Sequence, residues 1–359
     1  MAFQKSDGMN YAPKGVAKAV VKPGEFVFAA TALDHGHIYG MCNGLMEAGA
    51  VCKAVYDPDP KKLEAFCKTY PDVPVAESLE EILNDPEIQM VAAAAIPNRR
   101  CDLGIRVMEA GMDYFTDKAP LTTLDQLERA KEAVKRTGKK YMVYYSERLH
   151  VESAVMTGNL VKEGAIGQVV QVICLAPHRL SAPSRPEWFW NIEESGGTLC
   201  DIGSHQIEQF LYFTGNKSAE VVSAQRANYH NPDHPDFDDF GSATIVGENG
   251  ATQYLRVDWL NPDGLGTWGD GRLFLLGTEG YIEVRKYIDV ARQAEGDHIY
   301  LVDAKGEHYI SASGTVGFPF FGEMILDCLN RTENAMSQEH IFLAAELGVK
   351  AQMLAQKLK

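Results

Sequence analysis

Apolar positions along the chain follow two rhythms, which change near residue 148. In the first, short apolar runs alternate with segments whose apolar residues recur every three or four positions. EFVFAA, VCKAVYD, QMVAAAAI, MDYFTD and KKYMVYY predict strands, and HIYGMCNGLMEAG, PDPKKLEAFCKTY, SLEEILND and NRRCDLGIRVMEAG predict helices. A further helix after Leu121 places Leu124, Leu127, Ala130 and Val134 on one face. Thr123 and Gln126 supply its capping box, and Gly138 lies just past its end. Strands at intervals of about 25–30 residues, separated by helices, predict a parallel doubly wound sheet.

The second rhythm opens with a helix over 150–164, the strand GQVVQVICLAP and a helix through HQIEQFLYFTG. Six strands follow: AEVVSAQRANY, DFGSATIVG, ATQYLRVDWL, GRLFLLG, GYIEVRKY and HIYLVDA. Short turns between them predict a mostly antiparallel sheet. Helices are expected over 320–330 and 339–357. The fold class is therefore α/β: an N-terminal Rossmann doubly wound parallel sheet and a C-terminal α+β domain with a large, mostly antiparallel open sheet. The expected boundaries are an N-terminal arm over 1–24, a dinucleotide-binding domain over 25–148, and a substrate-binding and oligomerisation domain over 149–359. One broad sheet needs its outer face covered, which predicts a homodimer or homotetramer.

The 359 residues suffice for two cores, and 45% of them are hydrophobic. No apolar run approaches the ~18 residues of a membrane span. The N-terminus lacks an apolar h-region, so no signal peptide is expected. A net charge of −15 without a Lys/Arg stripe disfavours nucleic acid and anionic membranes as partners. Cys42, Cys52, Cys67, Cys101, Cys174, Cys200 and Cys328 are scattered, odd in number and without a C-x-x-C pair. They read as reduced thiols of a cytoplasmic protein.

TALDHGHIYG (31–40) occupies the first strand-to-helix turn, where a dinucleotide-binding unit carries G-x-G-x-x-G. The three glycine positions fall near Ala32, Asp34 and His37, leaving Gly36 as the point of close backbone approach; His35 and His37 either contact a ligand or pack. Asp34 reads as the N-cap of the next helix. Asp57 ends the second strand about 20–25 residues on, where a carboxylate accepts from an adenine-ribose diol. Its other reading is the start of the DPDPKK turn. A carboxylate there repels a 2′-phosphate, favouring NAD over NADP, although Lys61 and Lys62 stand close by in sequence.

Two other stretches carry chemistry. In YFTDKAPLTT, Lys118 follows a strand and lies at the carboxyl edge of the sheet, either as a surface cation or facing a ligand. In SGGTLCDIGSHQIEQF, Asp201 and His205 share one helical face, so the carboxylate can orient the imidazole and raise its basicity; the alternative is an N-cap and a packed histidine. Gly196 and Gly197 would let the chain approach a ligand. HRLSAPSRPEWFWN precedes this block: Trp188 and Trp190 offer stacking faces for a sugar, and His178, Arg179, Arg185 and Arg148 offer polar groups. Several arginines near one cleft hint at an acidic sugar. The remaining histidines (His150, His230, His234, His298, His308 and His340) show no ligand spacing, so no metal site is expected.

From about Phe26 to its C-terminus the chain resembles the Gfo/Idh/MocA oxidoreductases. VAAAAIPN resembles the family strand that ends in Pro-Asn, EAGMDYFTDKAPLTT its E-K-P-L segment, and GGTLCDIGSHQIEQFLYFTG its G-G-x-L-x-D-x-G-x-H block. The resemblance implies catalytic Lys118, Asp201 and His205. It also implies NAD held by Ala32, Leu33, Asp34, His35, Gly36, His37, Asp57, Ile96, Pro97, Asn98 and Lys118. The implied activity is hydride transfer from a secondary hydroxyl of a sugar, cyclic polyol or glycoside. Alternatives are a redox-neutral cycle on bound NAD, leading to elimination or epimerisation, and a nucleotide-binding regulator. D-K-A-P replaces E-K-P, and the first glycine loop is largely rewritten.

Overall fold

The computed structural model describes residues 11–290 and 296–359, so positions 1–10 of the expected arm lie outside the described residues. The first half runs β1 (Val27–Thr31), α1 (His37–Glu47), β2 (Val51–Tyr56), α2 (Pro60–Thr69), α3 (Leu79–Leu83), β3 (Met90–Ala93), α4 (Pro97–Glu109), β4 (Asp113–Asp117), α5 (Leu124–Thr137) and β5 (Tyr141–Tyr144). All five strands pair in parallel, in the order β2-β1-β3-β4-β5. Helices on both faces explain why β3, β4 and β5 are buried at every position. The Thr123 hydroxyl accepts from Gln126 N–H, and Gly138 closes α5 in the left-handed region with φ +66°. Strand order reverses between β1 and β3, and in open α/β sheets ligands bind at the carboxyl ends beside such a reversal.

The chain continues with α6 (Ser146–Leu149), α7 (Glu152–Lys162), β6 (Val169–Pro177), α8 (Glu187–Trp190), α9 (Ile192–Ser195) and α10 (Thr198–Thr214). Then come β7 (Ala219–Ala227), β8 (Phe240–Gly247), β9 (Thr252–Asp258), β10 (Arg272–Gly277), β11 (Tyr281–Arg285), β12 (His298–Asp303), β13 (Gly306–Ser311), α11 (Pro319–Asn330), α12 (Gln338–Leu354) and β14 (Gln356–Lys357). The second sheet has the order β13-β12-β11-β10-β6-β9-β8-β7-β14. Its pairs are antiparallel except β6–β9 and β7–β14. α10 lies on β6, β8 and β9 and is buried along nearly its whole length. β13 was not expected: GEHYIS is a polar edge strand that offers no apolar alternation.

The chain forms two compact units, and their composition differs from the expected boundaries. One holds Val16–Tyr144 and Phe318–Phe342; the other holds the segment up to Gly15, Tyr145–Gly317 and Leu343–Lys359. α11 therefore goes with the parallel sheet, not with the later strands. Phe320 packs on Phe115 at 6.1 Å and Phe321 on Tyr144 at 6.0 Å, while Arg331 grips the buried Asp113 carboxylate through two 2.7 Å bonds. The arm also divides. Ala17 N–H donates to Glu47 at 2.9 Å in the first unit, and the buried Tyr11 hydroxyl donates to Asp297 at 2.7 Å in the second. Among the described residues no helix is long and apolar enough to cross a membrane, and the seven cysteines are free thiols.

Candidate active-site residues

Within the parallel-sheet unit, the turn after β1 needs a left-handed residue, and Ala32 supplies it with φ +50°. Glycine takes that conformation without a Cβ penalty, so Ala32 keeps the backbone path of a glycine loop without its residue. Gly36 has φ −62° and merely precedes α1, so the expected point of close approach has ordinary helical backbone. The loop is tied down at several points. Leu33 N–H donates to Asp57 Oδ2 at 2.7 Å, His35 N–H to the Ala94 carbonyl at 3.0 Å, and Ala94 N–H to the Ala32 carbonyl at 3.1 Å. Asp57 also accepts from Asp59 N–H at 2.9 Å, so it shapes its own turn while clasping the loop. Asp34 is not the N-cap expected of it. α1 starts later, at His37, and the Asp34 carboxylate takes the Lys62 ammonium at 2.5 Å.

The two loop histidines meet the residue before Lys118. His37 Nδ1 lies 2.8 Å from Asp117 Oδ1, and His35 Nδ1 lies 3.0 Å from Asp117 Oδ2. Burial pushes the Asp117 carboxyl up, but His37, Arg100 and His35 outweigh it and hold the group well below the usual range. Arg100, from α4, reaches Asp117 Oδ2 at 3.2 Å and also donates to the Lys118 and Ala119 carbonyls. Lys118 is itself buried, and its N–H donates to Asp117 Oδ1 at 2.8 Å. Ligand atoms of His35, His37 and Asp117 lie within 4.8 Å of one another, a metal-type grouping that histidine spacing alone does not reveal. The positive charges of Arg100 and Lys118 beside it oppose a cation there. At the neighbouring strand end, Ile96 and Pro97 start α4. Asn98 Oδ1 is buried without a hydrogen-bond partner among the described residues, as an acceptor awaiting a ligand donor would be.

In the second unit, Gly196 (φ +84°) and Gly197 (φ +81°) turn the chain into α10. A Cβ on Gly197 would strike the Gln352 side chain, whose Oε1 accepts from Leu199 N–H at 3.0 Å. Close approach there is thus to Gln352, not to a ligand. Asp201 and His205 stand one turn apart on α10. Asp201 lines a small open cleft with Phe189, Thr198, Phe237 and Trp259. His205 is 2% exposed and meets the Tyr145 ring edge-on at 6.3 Å.

Sequence reasoning overlooked Glu147, on α6. Its Oε2 accepts from Lys286 Nζ at 3.0 Å and from Gln206 Nε2 at 2.9 Å. Burial raises this carboxyl, but Lys286, then His205 and His178, offset that and hold it below the usual range. No motif announces it, because its partners lie far along the chain.

The expected substrate arginines are committed elsewhere. Arg148 forms a buried fork with Glu208, at 2.7 and 2.8 Å from Nε, and lies 4.0 Å over the Tyr212 ring. Arg179 donates to the carbonyls of Leu265, Thr267 and Asp263, bracing a loop. Arg185 lies over Phe189 and Trp259 and donates to the Leu180 carbonyl at 2.7 Å. One face of Trp190 is taken by His234, stacked at 3.8 Å, and Trp188 meets Phe189 edge-on at 6.2 Å. His178 stands between Trp268 at 4.3 Å and Trp259 at 5.3 Å.

Two family models match the chain. One, described as an oxidoreductase family with an NAD-binding Rossmann fold, covers residues 40–145; the other, the GFO/IDH/MocA C-terminal domain, covers 157–283. A solved structure from Erwinia carotovora atroseptica SCRI1043, whose description proposes an oxidoreductase, is 50% identical with a TM-score of 0.91. That match covers 93% of this chain and all of the other. Among curated proteins, the NADP(+) scyllo-inositol 2-dehydrogenase of Bacillus subtilis is 27% identical over 175 residues, 48% of each chain. The NAD(+) scyllo-inositol 2-dehydrogenase of the same organism is 24% identical over 279 residues, 77% of this chain and 76% of that one. The chain thus spans about half the length of the first of these curated relatives.

Proposed function

Because the chain belongs to the Gfo/Idh/MocA oxidoreductase family, we propose that it is an NAD-dependent dehydrogenase acting on a secondary hydroxyl of a sugar, cyclic polyol or glycoside. The observation that carries the reading is the Asp201–His205 pair, one turn apart on the buried α10, within a family-type G-G-x-L-x-D-x-G-x-H block. Curated relatives named as scyllo-inositol dehydrogenases support the polyol class.

His205 accepts the hydroxyl proton, and Asp201 favours the productive tautomer of its imidazole. The Lys118 ammonium donates to the carbinol oxygen and stabilises its developing negative charge. NAD, when bound, supplies the hydride acceptor. The chain's own residues fit that cofactor: Ala32 keeps the turn open, Asp57 stands at the end of β2, and Asn98 Oδ1 is a buried acceptor without a partner. NAD is preferred to NADP, since Asp57 repels a 2′-phosphate and Lys62 is already neutralised by Asp34.

The open sheet face supports a homo-oligomer. Tyr254, Ile173, Phe274, Glu283, Tyr300 and Tyr309 share one cross-strand row, apolar or aromatic but for Glu283, in which Tyr254 and Tyr309 are exposed. Replacing His205 with Ala tests the chemistry: turnover should vanish while thermal unfolding stays close to wild type.

A further inference from the structure

Glu147 lies outside every motif, yet its carboxylate is 3% exposed and its two oxygens are treated unequally. Oε2 takes both Lys286 and Gln206, whereas Oε1 is buried and accepts no hydrogen bond among the described residues. An ionised carboxylate is acceptor-only, and leaving one oxygen dry and unpaired is costly. His178 Nε2 is 3.7 Å from Oε1, too far for a direct hydrogen bond. His178 Nδ1 faces the Ala176 carbonyl at 3.1 Å, and the ring is held between Trp259 and Trp268, so Nε2 stays turned toward Glu147. A ligand hydroxyl reaching this edge would donate to Oε1, the carboxylate oxygen that accepts no other hydrogen bond among the described residues. His178 keeps partial exposure, which gives the pair an approach from its side.

We propose that Glu147 Oε1, with His178 Nε2 beside it, is a substrate subsite that accepts a ring hydroxyl of a neutral sugar or cyclic polyol and rejects carboxylated sugars. A uronate would bring a second negative charge to a buried carboxylate. The arginines that would answer that charge are spent on Glu208, on loop carbonyls and on aromatic rings. Gln206, bonded to the other Glu147 oxygen, is the neighbour of His205 on α10 and ties the subsite to the helix of the proposed base. The inference rests on the dehydrogenase reading, so its test uses binding as well as turnover.

Calorimetric titration of the full chain, with NAD present, against scyllo-inositol, glucose and glucuronate tests it. Wild type should bind at least one neutral probe about tenfold or more tighter than glucuronate. Glu147→Gln should weaken that probe by about tenfold and narrow the gap to glucuronate. Glu147→Asp, which keeps the charge but withdraws the oxygen, should weaken the neutral probe while still excluding glucuronate, and it decides the matter if the glutamine variant fails to fold. Tighter glucuronate binding, binding of no probe, or a neutral-probe affinity within about twofold of wild type in both variants would overturn the proposal. Turnover surviving in His205→Ala would instead remove the base assignment and leave the Glu147 binding differences standing.

Discussion

His37 Nδ1 lies 2.8 Å from Asp117 Oδ1. With His35 on the other oxygen at 3.0 Å, one buried carboxylate holds both imidazoles of the loop after β1, and Arg100 balances its charge. The rewritten loop is thus anchored by side chains at the end of β4. Asp117→Asn leaves the Arg100 guanidinium buried without its counter-ion and should destabilise the protein by about 3–5 kcal/mol. Urea unfolding measures this, and a loss below about 1 kcal/mol would contradict the anchoring role.

The same cluster sets a pH dependence. Burial, with His37 beside it, pushes His35 down to about 4, against the pull of Asp117. As pH falls, the unfolded chain therefore takes up the proton first, at its ordinary value near 6.5. Stability from this group is complete above about pH 6.5 and is lost, by roughly 2–3 kcal/mol, as pH falls toward 4. Asp117, held low, adds a further loss at more acidic pH, because its contribution is present only while it stays ionised. Urea titrations between pH 7 and 4 should show a flatter profile in His35→Gln than in wild type; an unchanged slope would refute the assignment.

The proposed preference for NAD is tested at the pair of Asp34 and Lys62, 2.5 Å apart. Asp34→Asn frees the Lys62 ammonium, which on the proposed cofactor reading can then attract a 2′-phosphate. The ratio of kcat/KM for NADP to that for NAD should rise by about two- to fivefold, the scale of a partly exposed ion pair. A ratio that stays at its wild-type value, or falls, would show that Lys62 does not set the choice.

Arg148 provides a structural counterpart. Its fork with Glu208 is buried and carries its charge. Glu208→Gln should cost about 3–5 kcal/mol in unfolding free energy while leaving the KM of the surviving folded enzyme within about twofold of wild type. A large rise in KM without loss of stability would return Arg148 to the substrate.

Much of this was legible in the residues. The fully buried MVAA of β3 and the Thr123 cap of α5 follow from local pattern, and they made the parallel sheet readable. Asp201 and His205 are adjacent by helical geometry alone. What escaped depends on distant chain. Asp34 looked like a cap because Lys62, on another element, is invisible from the loop. Arg148, Arg179 and Arg185 looked available because Glu208, the 263–267 carbonyls and the Trp259 ring lie elsewhere in sequence. α11 was recognisable as a helix, but its apolar face does not say which sheet it covers. Glu147 acquires its setting from Lys286, Gln206 and His178, which the fold alone brings to it.

The central claim is tested most directly by following NADH absorbance while the purified chain is given NAD and a neutral polyol such as scyllo-inositol, alongside His205→Ala. Wild type should form NADH in step with substrate consumed, and His205→Ala should be slower by about 10²–10⁴-fold with an unchanged fold. Substrate consumption without net NADH, or His205→Ala turning over at the wild-type rate, would contradict it.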